Sequence, residues 1–321
     1  MLSGYILSFV YNNPDDVKPV RSHLNFLMIR LVRIYPVYFV ALLFLGAFVL
    51  LNPDFAANYR IPEQRWSIGA FIASLILVQN WAHFLPTCWN APAWSLSAEW
   101  LAYLAFPLFQ TITRWPRRIL TPVLLSGCCL ALFAALVMLN GQPNPGLTGT
   151  PGLARMAFEF TCGCLLFTAM RNGLPRLNAW ADFAGCALLS VAVVFGGTMI
   201  WLALPAFGVI LLLAAQDRGP ISAALGLPVV VWLGEISYSL YIMHWIVLQV
   251  GKWELSGLRL AEVPARDIIL AGLCLACATC TYKWIELPAR ARGRAWARRL
   301  AGRTTPPPST LAVNPTSQPL S

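Results

Sequence analysis

Apolar residues in this chain run in blocks close to the length of a bilayer crossing, with short polar clusters between them. Blocks at 35–51, 67–81, 94–112, 119–139, 153–170, 183–194, 198–216, 229–250 and 266–284 read as membrane helices. Residues 1–11, MLSGYILSFVY, read as the end of a further helix too short to cross. They lack the basic start and small-residue cleavage site of a signal peptide. The expected fold is all-α, a polytopic transmembrane bundle of about nine to ten helices.

Composition sharpens this expectation. Of 321 residues, 58% are hydrophobic and only 11% charged, which leaves too little polar surface to cover a soluble globule. The net charge of +10 sits between long uncharged stretches rather than replacing them, and mean hydropathy is +0.64. A disordered chain and a nucleic-acid binder are thereby excluded. Eight of the nine cysteines lie inside apolar runs, where cysteine packs as a small hydrophobe; only Cys88 is near a loop. Cys274, Cys277 and Cys280 have the spacing of an iron–sulfur segment, but in a membrane helix rather than a ligating loop, and no metal is expected.

Lys and Arg set the orientation. The basic sites at 18–33, 114–118 and 171–176, and the run Arg290, Arg292, Arg294, Arg298, Arg299 and Arg303, are expected on the cytoplasmic side of the cell (inner) membrane. Three blocks separate Arg33 from Arg114, an odd number, so one should not cross. The weakest is 67–81, followed by a polar stretch with His83, and a re-entrant or interfacial segment is expected there. Residues 1–289 are read as the membrane domain and 290–321 as a basic, then Pro- and Ser-rich, disordered cytoplasmic tail.

A charge within a bilayer is costly, so each ionisable residue in a span is a functional candidate; these are Glu99, Glu159, Glu235, His244 and Glu286. Ser95 and Glu99 stand at i and i+4 on one helix face, continued by Tyr103 and Phe106. That face suits a polar pocket, and equally a carboxylate paired with a basic residue between helices. Ser237, Tyr241 and His244 also share a face. Seven residues of rise put Ser237 and His244 about 10 Å apart, which excludes a Ser–His pair. His244 fits catalysis on a ligand between helices or a structural hydrogen bond. Arg30 and Arg33, one turn apart before Pro36, suit either a phosphorylated ligand or anionic lipid headgroups. No phosphate-cradling Gly-rich loop, H-E-x-x-H or G-x-S-x-G is present, which argues against an ATPase, a zinc protease and a serine hydrolase.

Four stretches together, SGYIL followed by RLVRIYPVY, PAWSLSAEWLAYLAFPLF, GEISYSLYIMHW and the closing YKWIELPAR, resemble the membrane acyltransferase 3 family. These are integral-membrane O-acyltransferases that modify bacterial lipopolysaccharide, exopolysaccharide, peptidoglycan and some antibiotics. The likeness runs from residue 1 to about residue 290 in the family's order. It implies an O-acyltransferase, with acetyl the first candidate group, taking an acyl group from a cytoplasmic acyl-CoA such as acetyl-CoA to a hydroxyl of a carbohydrate or lipid-linked glycan. By the same resemblance, Arg30 and Arg33 bind the donor phosphates, Glu99 with Trp94 and Ser95 shapes the site, and His244 with Ser237 and Tyr241 lies along the acyl or acceptor path. Glu99 and His244 are the catalytic candidates. No bound cofactor or nucleic acid is implied.

Family members ordinarily begin with a helix carrying an Arg and, about three turns on, a His central to catalysis, to which the resemblance gives the general-base deprotonation of the acceptor hydroxyl. This sequence starts after that helix, and the expectation is an N-terminally incomplete chain with the helix encoded upstream of Met1. The rivals are a non-catalytic remnant and a transporter or flippase. Against the last, no Gly- and Pro-broken spans correspond between two halves.

Overall fold

A computed structural model describes residues 1–11, 21–58, 65–81, 89–114, 118–141, 149–196, 201–217, 219–255 and 264–301. Of the features singled out above, Lys18, His83, Cys88, residues 115–117, Arg303 and the stretch 304–321 lie outside the described residues.

Helix is the regular structure of the described residues, with no strand among them. In chain order come α1 (Leu2–Tyr11), α2 (Arg21–Leu51), α3 (Pro53–Ala57), α4 (Ile68–Leu75), a 3-10 turn (Ala91–Ala93), α5 (Trp94–Leu104), α6 (Phe106–Arg114) and α7 (Leu120–Leu139). They are followed by α8 (Gly149–Arg171), α9 (Ala179–Phe195), α10 (Ala203–Ala215), α11 (Gly219–Leu225), α12 (Pro228–Glu254), α13 (Pro264–Thr281), a π-helical turn (Tyr282–Glu286) and α14 (Leu287–Ala301). Five stretches are helical, long and apolar enough to cross a bilayer: His23–Leu51, Leu120–Leu139, Pro151–Arg171, Pro228–Glu254 and Arg266–Trp296. α1, α10 and most of α9 are shorter apolar helices. The chain is a multi-pass membrane protein.

Several expected boundaries shift for identifiable reasons. The span expected at 94–112 is two helices, because Pro107 has no N–H to donate to the carbonyl of Tyr103 and its ring crowds that carbonyl. The helix ends at Ala105, whose N–H caps it on Leu101 O at 2.9 Å. Block 67–81 forms only the eight residues of α4, about 12 Å of rise, so this helix does not cross. By contrast, α2 begins well before the expected start at 35 and runs through Pro36, which an apolar helix tolerates when neighbouring elements satisfy the freed backbone. Arg30 and Arg33 therefore sit within the helix rather than ahead of it.

The core gathers on α2. Ile34, Val37, Tyr38, Ala41, Leu42, Leu45 and Val49 are all buried, at helical spacing. The hydroxyls of Tyr35 and Tyr38 donate to the carbonyls of Leu75 and Ser74 at 3.0 and 2.9 Å, pinning the end of α4 to α2. α1 lies against α8 at very close range: a Cβ at Gly4 would overlap the carbonyl of Phe160. Small residues permit such approaches between apolar helices, where dispersion and packing rather than hydrophobicity hold them together.

The segment expected to be disordered from residue 290 starts as helix. α14 packs on α2, with Gly293 against Val32. The Arg- and Ala-rich sequence has strong helix propensity, and Arg290 pairs one turn back with Glu286. A side chain at Gly293 would overlap Val32 Cγ1. Gly293→Leu is expected to cost about 1–3 kcal/mol, read as a lower melting temperature in detergent, and Val32→Ala in the same chain should recover part of it.

Candidate active site

The position of Glu99 follows from the way α5 is anchored. Before it, residues 76–81 are irregular backbone within an apolar bundle, a conformation sustained only when its polar groups are satisfied by protein. One side of α5 and the turn before it do this work. Ser97 Oγ donates to Leu77 O at 2.7 Å, Trp81 Nε1 to Ser97 O at 3.2 Å, and Gln79 Nε2 to Ala93 O at 3.0 Å. Asn90 Nδ2 donates to Ile242 O at 2.9 Å, tying the start of α5 to α12. With Ser97 so engaged, another side of the helix, carrying Ser95, Glu99 and Tyr103 at successive i+4 steps, faces open space.

Glu99 is the wall common to two cavities. The first, of about 330 Å³, is lined by Trp94, Ser95, Arg155, Glu159 and Tyr241 among others. The second, of about 110 Å³, is lined by Arg30, Arg33, Tyr103 and Tyr238. Both Ser3 Oγ, at 3.1 Å, and the Tyr103 hydroxyl donate to Glu99 Oε1. Among the described residues no Lys, Arg or His lies within 4.0 Å of this carboxylate, so the interhelical ion pair weighed from sequence does not form there.

The two arginines differ. Arg30 is 7% exposed, its guanidinium 5.5, 5.7 and 5.9 Å from the ring centres of Tyr11, Phe26 and Tyr103. Such contacts offset part of the cost of burying a cation. Its Nε has no hydrogen-bond partner among the described residues. A headgroup anchor must reach the lipid surface, and Arg30 does not. Arg33, one turn on, is exposed.

Tyr241 reaches α5: its hydroxyl donates to Pro92 O at 2.8 Å and lies 2.6 Å from Ser95 Oγ. Ser237 and His244, on the same helix, are not among the residues lining these cavities. Ser237 Oγ turns back to Gly234 O at 2.7 Å. His244 Nδ1 is 2.8 Å from Tyr241 O, and because a carbonyl only accepts, Nδ1 is the donor of this hydrogen bond. The rings of Tyr241 and His244 are 5.9 Å apart.

Two polar pairs escaped the sequence reading. Arg155 Nε donates to Glu159 Oε1 at 2.7 Å, and the pair separates the 330 Å³ cavity from an apolar chamber of about 510 Å³ bounded by Leu204, Phe207 and Leu211. An Arg four residues before a Glu inside an apolar block was the available signal. The other pair is Ser239 with Glu286, Ser239 Oγ donating to Oε2 at 2.6 Å. Ser239 is fully buried while Ser237 is exposed, a distinction that only the packing of α12 makes. Among the described residues no three His, Cys, Asp or Glu side chains converge to hold a metal.

A family model described as an acyltransferase domain matches residues 1–284. The chain belongs to the acyltransferase 3 family. Acyltransferase MdmB of Streptomyces mycarofaciens is 28% identical over 288 residues, an alignment covering 80% of this chain and 68% of that protein. Peptidoglycan O-acetyltransferase OatA of Listeria monocytogenes is 24% identical over 332 residues, covering 91% of this chain. This chain spans 50% of the length of that relative. No solved structure matches. The chain is an acyltransferase that transfers groups other than aminoacyl groups, as the motif resemblance implied.

Proposed function

We propose that this acyltransferase moves an acetyl group from acetyl-CoA, entering from the cytoplasmic face of the cell's inner membrane, to a hydroxyl of a carbohydrate or lipid-linked glycan. The observation that carries the reading is the place of Glu99 between a cavity with two arginines and a cavity lined by indole, hydroxyl and guanidinium groups. Arg30 and Arg33 suit the phosphates of the thioester donor, since guanidinium bonds phosphate oxygens in pairs. Trp94, Ser95 and Tyr241 offer an apolar ring face beside two hydroxyls, a lining suited to a sugar. The relative named as a peptidoglycan O-acetyltransferase supports the same class of acceptor.

In this reading Glu99, the carboxylate on the wall of both cavities, takes the general-base role that the resemblance gives to the His of the family's first helix, and accepts the proton of the acceptor hydroxyl as its oxygen attacks the thioester carbonyl. The tetrahedral intermediate collapses by breaking the C–S bond, and the departing thiolate takes up the proton, giving an ester and free thiol. Tyr103, donating to Glu99 with Arg30 near its ring, fixes the carboxylate's orientation. His244 acts through Tyr241, whose hydroxyl meets Ser95 at the cavity wall.

Replacing Arg30 and Arg33 together by Gln tests the donor side. Each charge-assisted contact to phosphate is worth about 1.5–3 kcal/mol, so the KM for acetyl-CoA should rise at least tenfold while the amount of protein in the membrane is unchanged. An unaltered donor KM would remove these arginines from the donor site.

A further inference from the structure

Beside the donor cavity, α14 brings a second set of cations against α2. The contact of Gly293 with Val32 sets the registry, and Arg33 follows Val32 directly while Arg290 and Arg294 stand three residues before and one after Gly293. Arg33 and Arg294 are both close enough to Arg290 to act on it electrostatically. The acidic group facing this cluster is Glu286, which also feels Arg33 and whose carboxylate already binds Ser239 and Arg290. Arg290 Nε is buried with no hydrogen-bond partner among the described residues, and Arg294 is exposed at the edge of the cluster. Three like charges held together by helix packing against one carboxylate leave positive charge that an anion would neutralise.

We propose that Arg33, Arg290 and Arg294 together bind a phosphate group, which makes α14 a wall of the site and not merely the end of the last membrane helix. Each guanidinium offers several N–H donors in a planar fork, the group that pairs with the oxygens of a tetrahedral oxyanion. Arg30 lies one turn before Arg33, on the cavity that Glu99 closes, so a phosphate at Arg33 is next to the proposed reaction centre. A phosphate ester can come from the coenzyme donor or from an anionic lipid headgroup. The first source rests on the donor reading above; the second does not.

The test uses the whole chain in phosphatidylcholine nanodiscs and the variant Arg294→Gln, chosen because Arg294 makes no ion pair within 4.0 Å among the described residues. Binding of radiolabelled coenzyme A is measured in one arm, and retention of phosphatidylglycerol over phosphatidylcholine, by native mass spectrometry, in the other. Loss of about tenfold in coenzyme A affinity, partly restored in Arg294→Lys, with an unchanged melting temperature, is the expected result and identifies the donor as the source. Unchanged coenzyme A binding with a fall in phosphatidylglycerol retention keeps the phosphate site and assigns it to a headgroup. A parent protein that binds no coenzyme A sinks the donor reading alone, and the lipid arm still decides this proposal. Wild-type behaviour of Arg294→Gln in both arms overturns it.

Discussion

Replacing Glu99 by Gln should leave a protein that inserts and melts like the parent but transfers acetyl groups about 10²–10⁴-fold more slowly, the usual worth of a positioned general base. Gln keeps the shape of the side chain and an oxygen that still accepts from Ser3 and Tyr103. What it loses is the ability to take up a proton. Because no cation lies within 4.0 Å of Glu99 among the described residues, the change orphans no partner, and a large loss of stability is not expected. Full activity in a stable Gln variant would take Glu99 out of the chemistry.

Glu286 should respond in the opposite way. It is 1% exposed, accepts from Ser239 on α12 and pairs with Arg290 on α14, so it ties α12 to the helix that follows the π-helical turn. Glu286→Ala removes one half of a buried pair and leaves Arg290 uncompensated, which costs about 3–5 kcal/mol where the orphaned charge is fully buried. Arg290 is 23% exposed, so the lower end of that range is expected. The variant should melt far below the parent in detergent. Glu286→Leu combined with Arg290→Met, which removes both charges, should recover most of the loss. If the single variant melts like the parent, the pair does not hold α14 in place.

These two carboxylates show how much the sequence disclosed. The i, i+4 relation of Ser95 and Glu99 was readable and the two do line one cavity, because both lie within an unbroken helix, where spacing alone fixes the face. The same reasoning carried one step further, to Phe106, met the break before Pro107, and a proline inside an apolar block was itself the warning. On α12, periodicity placed Ser237, Tyr241 and His244 together, yet only Tyr241 reaches the cavity. A common face says nothing about how far along a helix its neighbours extend. The meeting of Arg33 with Arg290 was not readable at all. It depends on the contact of Gly293 with Val32, far apart in the chain, and on α14 continuing as helix where composition suggested a tail.

The family and the multi-pass helical architecture rest on matched sequence and on helix length; the reaction proposed at Glu99 is argued from the geometry of the two cavities. The most direct measurement of that reaction is the transfer of radiolabel from acetyl-CoA to glycan in membranes containing the protein, with the product tested for release by mild alkali as an ester. The account predicts alkali-labile label that depends on acetyl-CoA, accumulates with the parent protein and falls to background with Glu99→Gln at equal protein levels. Labelling at the same rate in both would contradict it.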